Sequence, residues 1–189
     1  MFPNFINHLK KHVELNIDEI ATLKDFVKII EVKKKDFLLE EGKICRYNYF
    51  VEKGLLRMFF VNEKGVEQIT QFALENWWMS DHMSLIMEKP SVFNIQAVEN
   101  ATIIAIAQSK KEQLFKQLPQ LERYFRIMMQ RAYAATQMRF KYFHDFSKEE
   151  SYRQFISLFP DFTQRIPQYM LASYLGLTPE YLSELRKKA

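Results

Sequence analysis

The chain has 189 residues, 48% of them hydrophobic, with 17 Phe, 9 Tyr and 9 Met, enough apolar material for one large core or two small ones. No apolar run approaches the roughly 20 residues of a membrane-spanning helix. The opening MFPNFINHLKKH lacks a basic-then-apolar leader pattern, and the single cysteine, Cys45, excludes an internal disulfide or a four-cysteine cluster within one chain; a cytoplasmic protein without a membrane partner is expected.

The net charge of +4 is unevenly spread. Residues 1–109 carry −2, residues 110–141 carry +6 and residues 142–189 are neutral. The excess therefore marks the middle of the chain, where the solvated face of a helix accounts for it as readily as a nucleic-acid partner does.

Residues 4–29 read as one or two amphipathic helices. Phe5, Ile6, Leu9 and Val13 recur at helical spacing, and Asn16 is placed to cap a second helix carrying Ile20, Leu23 and Phe26. From Val27 to about Ile106 the pattern changes to short β-rich runs, VKIIEV, DFLLEEG, NYFVEKGLLRMFFV, EQITQFAL and NIQAVENATIIAIA. Turn signals at Glu41-Gly42, Lys53-Gly54, Lys64-Gly65 and Lys89-Pro90 separate them. Such close spacing predicts an antiparallel sandwich or barrel, not alternating strands and helices.

Helical spacing resumes at Ser109, and after Pro119 one uninterrupted helix is predicted from Gln120 to Asp145. Leu121, Phe125, Met128, Ala132, Ala135 and Tyr142 fall on an alternating four–three spacing that Arg139 interrupts. This stripe is read as a dimer seam, because Ala132, Ala134 and Ala135 permit close approach of two helices; a helix packed along its own barrel would show the same periodicity. A helix over 149–159, a Pro160-Asp161 turn, a connection to Pro167 and a closing pair of helices follow.

The closing stretch QYMLASYLGLTPEYLSELRKK fits a helix-turn-helix frame starting at Gln168. Leu171, Leu175, Leu177, Leu182 and Leu185 take the apolar positions, Ala172 the close crossing and Gly176 the turn. Thr178 is suited to cap the second helix and Pro179 to open it. The non-core face then carries Thr178, Pro179, Glu180, Tyr181, Ser183, Glu184 and Lys187. Glu180 is able to accept from cytosine N4 and Ser183 to bond either base type. Arg186, Lys187 and Lys188 are assigned to phosphates, and Gln168 to the edge of the same interface. A carboxylate at Glu184 repels the DNA backbone, so Glu184 is read as an i,i+4 partner of Lys188. An αα-hairpin without a nucleic-acid role is the competing reading.

Helix, small β-roll, long helix and terminal helix-turn-helix is an order that resembles the Crp–Fnr superfamily of bacterial transcription regulators. LLEEGKICRYNYFVEKGLLRMFF is similar to the first half of a cyclic-nucleotide-binding roll, with Gly42 and Gly54 at its turn glycines. RIPQY, ASYLG and TPEYLS resemble a short-chain subgroup. The resemblance implies an α+β fold divided into an effector β-roll of jelly-roll type with N-terminal helices over 1–118, a dimerisation helix over 119–146 and a helix-turn-helix DNA-binding domain over 147–189. It implies a homodimer on palindromic double-stranded DNA, with a small-molecule effector and RNA polymerase as further partners.

The departures from that family are chemical. Where its cyclic-AMP binders carry Gly-Glu-Leu and then Arg-Ser or Arg-Thr, this chain reads Ser80-Asp81-His82 and, after IMEKP, Ser91-Val92. Asp81 offers a shorter reach than glutamate, and Lys89 does not replace a bidentate guanidinium. Trp77 and Trp78 fill the roll or line an apolar pocket for another effector. The expected effector residues are therefore Trp78, Ser80, Asp81, His82, Ser91 and Val92, and the effector is not expected to be cyclic AMP.

The recognition helix keeps only Glu180 of the family's Arg-Glu-x-x-x-Arg pattern. His8 and His12 at i,i+4 are read as a surface pair, and His82 and His144 as packed or exposed, not as haem or metal ligands. No nucleotide-binding glycine loop, catalytic serine motif or paired catalytic carboxylates occur, so neither a cofactor nor an enzymatic activity is expected. A small-molecule sensor that signals through protein partners is the alternative class.

Overall fold

The computed structural model describes residues 2–188 and the side chains of 2–187. Two helices open it, α1 (Pro3–Lys10) and α2 (Ile17–Lys24), followed by the strands β1 (Val27–Val32), β2 (Phe37–Leu39), β3 (Tyr47–Lys53), β4 (Leu56–Val61), β5 (Glu67–Ala73) and β6 (Trp78–Met79). A short helix α3 (His82–Met87) precedes β7 (Asn94–Ala97) and β8 (Ala101–Ala107). Then come α4 (Lys111–Gln117), the long α5 (Gln120–Asp145), α6 (Lys148–Leu158), α7 (Pro160–Arg165), α8 (Gln168–Leu175) and α9 (Pro179–Lys188). The chain forms two compact units. One runs up to Phe60 and adds Thr70–Met128; the other holds Val61–Ile69 and the residues from Met129 onward. The division falls inside α5, where the sequence placed domain boundaries at either end of that helix.

The roll is built from two four-stranded antiparallel sheets, β1-β8-β3-β6 and β2-β7-β4-β5. Strand β8 reads ATIIAIA, a near-continuous apolar run, because both of its faces are covered. Ile103 and Ala105 point into the roll with Val51, Leu56 and Ile95. Ile104 and Ile106 point the other way, into a cluster with Phe5, Leu9, Leu23, Phe50, Leu114 and Leu121 from α1, α2, β3, α4 and α5. Helix α1 is fixed at its start by Glu52 of β3. Its carboxylate accepts from the N–H groups of Asn4 and Phe5 at 2.9 and 2.8 Å, satisfying two donors that a helix start leaves open.

Capping explains several boundaries. Asn16 and Glu19 form a reciprocal capping box on α2, as the Asn16 reading anticipates, and Ser147 and Glu150 form another on α6. Hydrogen bonding to Ser147 holds the Glu150 carboxyl below its ordinary range. The long helix spans the residues predicted from its pattern. Two helices went unpredicted. The expected Pro160-Asp161 turn is the first turn of α7, with proline in the opening position where its missing N–H costs nothing. Helix α3 is short and mostly apolar on its outside, so no periodicity marked it.

Candidate nucleic-acid interface and effector region

In the second unit α8 and α9 form the closing pair. Helix α8 ends in Gly176 with φ 66°, and the N–H of Leu177 returns to the Ala172 carbonyl at 2.8 Å while that of Gly176 reaches Ser173 at 3.2 Å. This is the Schellman arrangement, which needs a left-handed residue at the turn. A Cβ at Gly176 would meet nothing within 4 Å, so only the backbone conformation opposes a side chain. Gly176→Ala is accordingly expected to cost about 1 kcal/mol, read as a lower chemical-denaturation midpoint with an unchanged slope.

The Thr178 hydroxyl accepts from the Tyr181 N–H at 3.2 Å, capping α9 as expected. Leu171, Leu177, Leu182 and Leu185 are buried with Ala172, which is fully covered at the crossing; Leu175 is only half-buried. Gln168, Thr178, Pro179, Glu180, Tyr181, Ser183, Glu184, Arg186 and Lys187 all lie on the exposed side. The proposed phosphate contact of Lys188, and its pairing with Glu184, lie outside the described side chains.

In the first unit the expected effector residues separate. The Asp81 carboxylate caps α3, accepting from Met83 and Ser84 N–H groups at 3.0 and 3.1 Å, and its second oxygen accepts from the Ser91 hydroxyl at 2.6 Å. The Ser84 hydroxyl donates to the Lys89 carbonyl at 2.6 Å and accepts from the Cys45 N–H at 2.9 Å. Main-chain bonds between Ser91 and both Gly42 and Lys43 close the set. Asp81, Ser84 and Ser91 are all buried, and burial pushes the Cys45 thiol beside them above its ordinary range. Among the described residues no buried side-chain nitrogen or oxygen lacks a partner.

The remaining four do not join this cluster. Ser80 is buried and donates to the Met79 carbonyl, while His82 and Val92 are exposed. Trp78 corrects the expectation most clearly. It neither fills the roll nor lines a pocket there, but packs on the helices, its ring 5.7, 5.3 and 5.1 Å from those of Phe5, Phe50 and Phe125. Its indole N–H donates to the Tyr124 hydroxyl at 2.9 Å, and the same hydroxyl meets His8 Nδ1 at 2.8 Å. Desolvation raises the Tyr124 pKa, which the Trp78 donor opposes. His12 packs on Tyr124 too, so His8 and His12 belong to a core edge; among the described residues no group of three metal-ligating side chains forms. A cleft of about 190 Å³ does exist between β2 and the start of β3, lined by Phe37, Glu40, Lys43, Arg46 and Tyr47 among others, and none of the six expected residues borders it.

The dimer-seam reading of α5 also needs correction. Leu121 and Phe125 are buried in the core of their own unit, with Met128 packed against it, so these three do not face outward. Tyr142 is half-buried and stacks on Phe146, while Ala132 and Ala135 are exposed. The outward apolar stripe of the second unit is Met129, Tyr133, Phe140 and Phe143, each between 46% and 77% exposed. At about 100° per residue these four lie within roughly 80° of one another; Ala132 borders them, about 20° from Phe143, while Ala135 and Tyr142 lie roughly 125–145° from their centre.

Arg139, the residue that interrupts the predicted seam, is accounted for. Its guanidinium carbon lies 4.2 Å from the ring centre of Tyr174 on α8. That contact, like the role of Ser84, was not read from the sequence. The signal that could have found α3 was Asp81, a favoured N-cap residue.

A two-sheet roll preceded by helices, a long helix and a capped helix-turn-helix define a β-roll protein with a candidate DNA-reading head. Residues 29–118 match the cyclic nucleotide-binding domain family. That match agrees with the Crp–Fnr resemblance read from the sequence. The chain is 30% identical over 120 residues to the transcriptional activator protein Anr of Pseudomonas protegens, a match covering 63% of this chain and 48% of that protein. The chain thus spans about half the length of this relative. The anaerobic regulatory protein of Haemophilus influenzae is 25% identical over 185 residues, 90% of this chain and 70% of that one. Among solved structures, FixK2 from Bradyrhizobium japonicum superposes with a TM-score of 0.71 at 17% identity, covering 86% of this chain and 83% of that one.

Proposed function

We propose that the chain is a sequence-specific DNA-binding transcription regulator that works as a homodimer on an inverted-repeat operator. The observation that carries this reading is the closing pair. Leu171, Leu177, Leu182 and Leu185 are buried, its turn glycine and Thr178 cap are in place, and a polar face of Thr178, Glu180, Tyr181 and Ser183 is left open on the first turns of α9. The transcriptional role named for the Anr relative supports it. The second copy pairs along Met129, Tyr133, Phe140 and Phe143, whose exposure leaves a contiguous apolar stripe without a cover. The effector is not cyclic AMP, because the Asp81 carboxylate that would meet a ribose is already bonded to Met83, Ser84 and Ser91.

Selection from random duplexes at moderate salt tests the reading. The full chain is expected to enrich an inverted repeat. Glu180→Ala and Ser183→Ala are each expected to relax base preference at one or two positions per half-site, by about 10- to 100-fold. If both variants enrich the same sequences as the parent, α9 is not the reading helix. If DNA is never enriched but the substitutions change binding to a protein partner, the sensor class replaces the regulator.

A further inference from the structure

We propose that Arg139 and Tyr174 act as positioning residues that set the spacing between operator half-sites, an inference that rests on the dimeric DNA-binding reading above. The internal geometry of the reading head is fixed by its own buried leucines, Leu171, Leu177, Leu182 and Leu185. Two further contacts are not needed for that core. The Arg139 guanidinium stacks on the Tyr174 ring at 4.2 Å, with an Nη2 donor 3.4 Å from the Tyr174 carbonyl. The same ring also meets Phe155 of α6, ring centres 5.5 Å apart. Next to it, the Ser173 hydroxyl donates to the Glu67 carbonyl at 2.8 Å and accepts from the Ile69 N–H at 3.0 Å.

Helix α8 is therefore held through two consecutive residues by elements outside the head, α5 through Tyr174 and the Val61–Ile69 segment through Ser173. A planar cation on an aromatic face resists tilting in a way that a sliding aliphatic contact does not. In a dimer paired along α5, that tilt decides how far apart and how twisted the two α9 helices stand, and they must enter successive major grooves. The lever is sensitive: a rotation of roughly 13° moves the far end of a 15 Å helix by about 3.4 Å, one base-pair step. Sequence-reading residues and spacing-setting residues are thereby separate.

The test uses the full chain and duplexes carrying the enriched half-site at every spacing across one helical turn. Arg139 is exposed, so Arg139→Ala should fold. It is expected to bind the parent spacing about tenfold more weakly and to shift or broaden the preferred spacing, with half-site sequence and dimer formation unchanged. Tyr174→Leu should do the same, and Tyr174→Phe, which keeps the ring, should retain the parent spacing. An Arg139→Ala protein with the parent's spacing profile and affinity overturns the inference while leaving the regulator reading intact. A parent chain that enriches no inverted repeat overturns the regulator reading itself.

Discussion

Replacing Gly54 with alanine is expected to destabilise the roll by roughly 3–4 kcal/mol, a large share of the 5–15 kcal/mol typical of a folded domain. Gly54 joins β3 to β4 at φ 102°, a conformation that costs an L-residue about 1–2 kcal/mol. An added Cβ would also lie 2.5 Å from the Ala101 Cβ, 2.8 Å from its Cα and 2.9 Å from the Asn100 carbonyl oxygen. Two of these three atoms are main chain at the start of β8, which is locked by pairing to both β1 and β3, so relief requires moving a central strand. Overpacking of that kind adds about 1–3 kcal/mol. Gly65 provides the control, with φ 74° and nothing within 4 Å of an added Cβ, so Gly65→Ala should lose only about 1 kcal/mol. Urea unfolding of the two variants measures the difference, and equal midpoints would remove the close approach at Ala101 from the account.

The sequence was most legible where a residue's role is local. Asn16, Thr178 and Gly176 answer demands set by the backbone within a turn of themselves, and each sits where its chemistry placed it. The bounds of α5 were legible for a similar reason, with Pro119 before it and no helix breaker inside. What was not legible is which body covers an apolar face. Leu121 and Phe125 repeat at a spacing that a partner helix and the chain's own core would both impose, and the core took them. Trp77 and Trp78 are neighbours on an extended segment, so they face opposite sides. Trp77 is 42% exposed while Trp78 enters the helical cluster, and no pattern in the sequence chose between them.

The same distinction applies to polar residues. Asp81 stands where a nucleotide binder keeps its glutamate, and its place in the sequence does not tell whether the carboxylate is held open for a ligand or consumed internally. Geometry separates the two, because both carboxylate oxygens already accept hydrogen bonds, one from two N–H groups of α3 and the other from the Ser91 hydroxyl. Ser84, which Asp81 caps, in turn ties Cys45 to Lys89. The cluster therefore joins the start of β3, α3 and the segment before β7 through side chains.

The stability of the ligand-free protein distinguishes these roles. A carboxylate kept free for a ligand is buried at a cost, and its removal tends to be neutral or stabilising. A carboxylate used as an internal cap is missed. Asp81→Ala is expected to cost about 3 kcal/mol, from roughly 1–2 kcal/mol for the lost helix cap and about 1–2 kcal/mol for the buried Ser91 hydroxyl and N–H groups left to find weaker partners. Asp81→Asn keeps an acceptor in the same place and should lose about 1 kcal/mol, which ties the larger loss to the hydrogen bonds and not to the charge. Thermal and urea unfolding of the unliganded protein supply the comparison. An Asp81→Ala protein as stable as the parent would mean that the carboxylate is not an internal strut, and would reopen the roll as a receptor for a ribose-bearing effector.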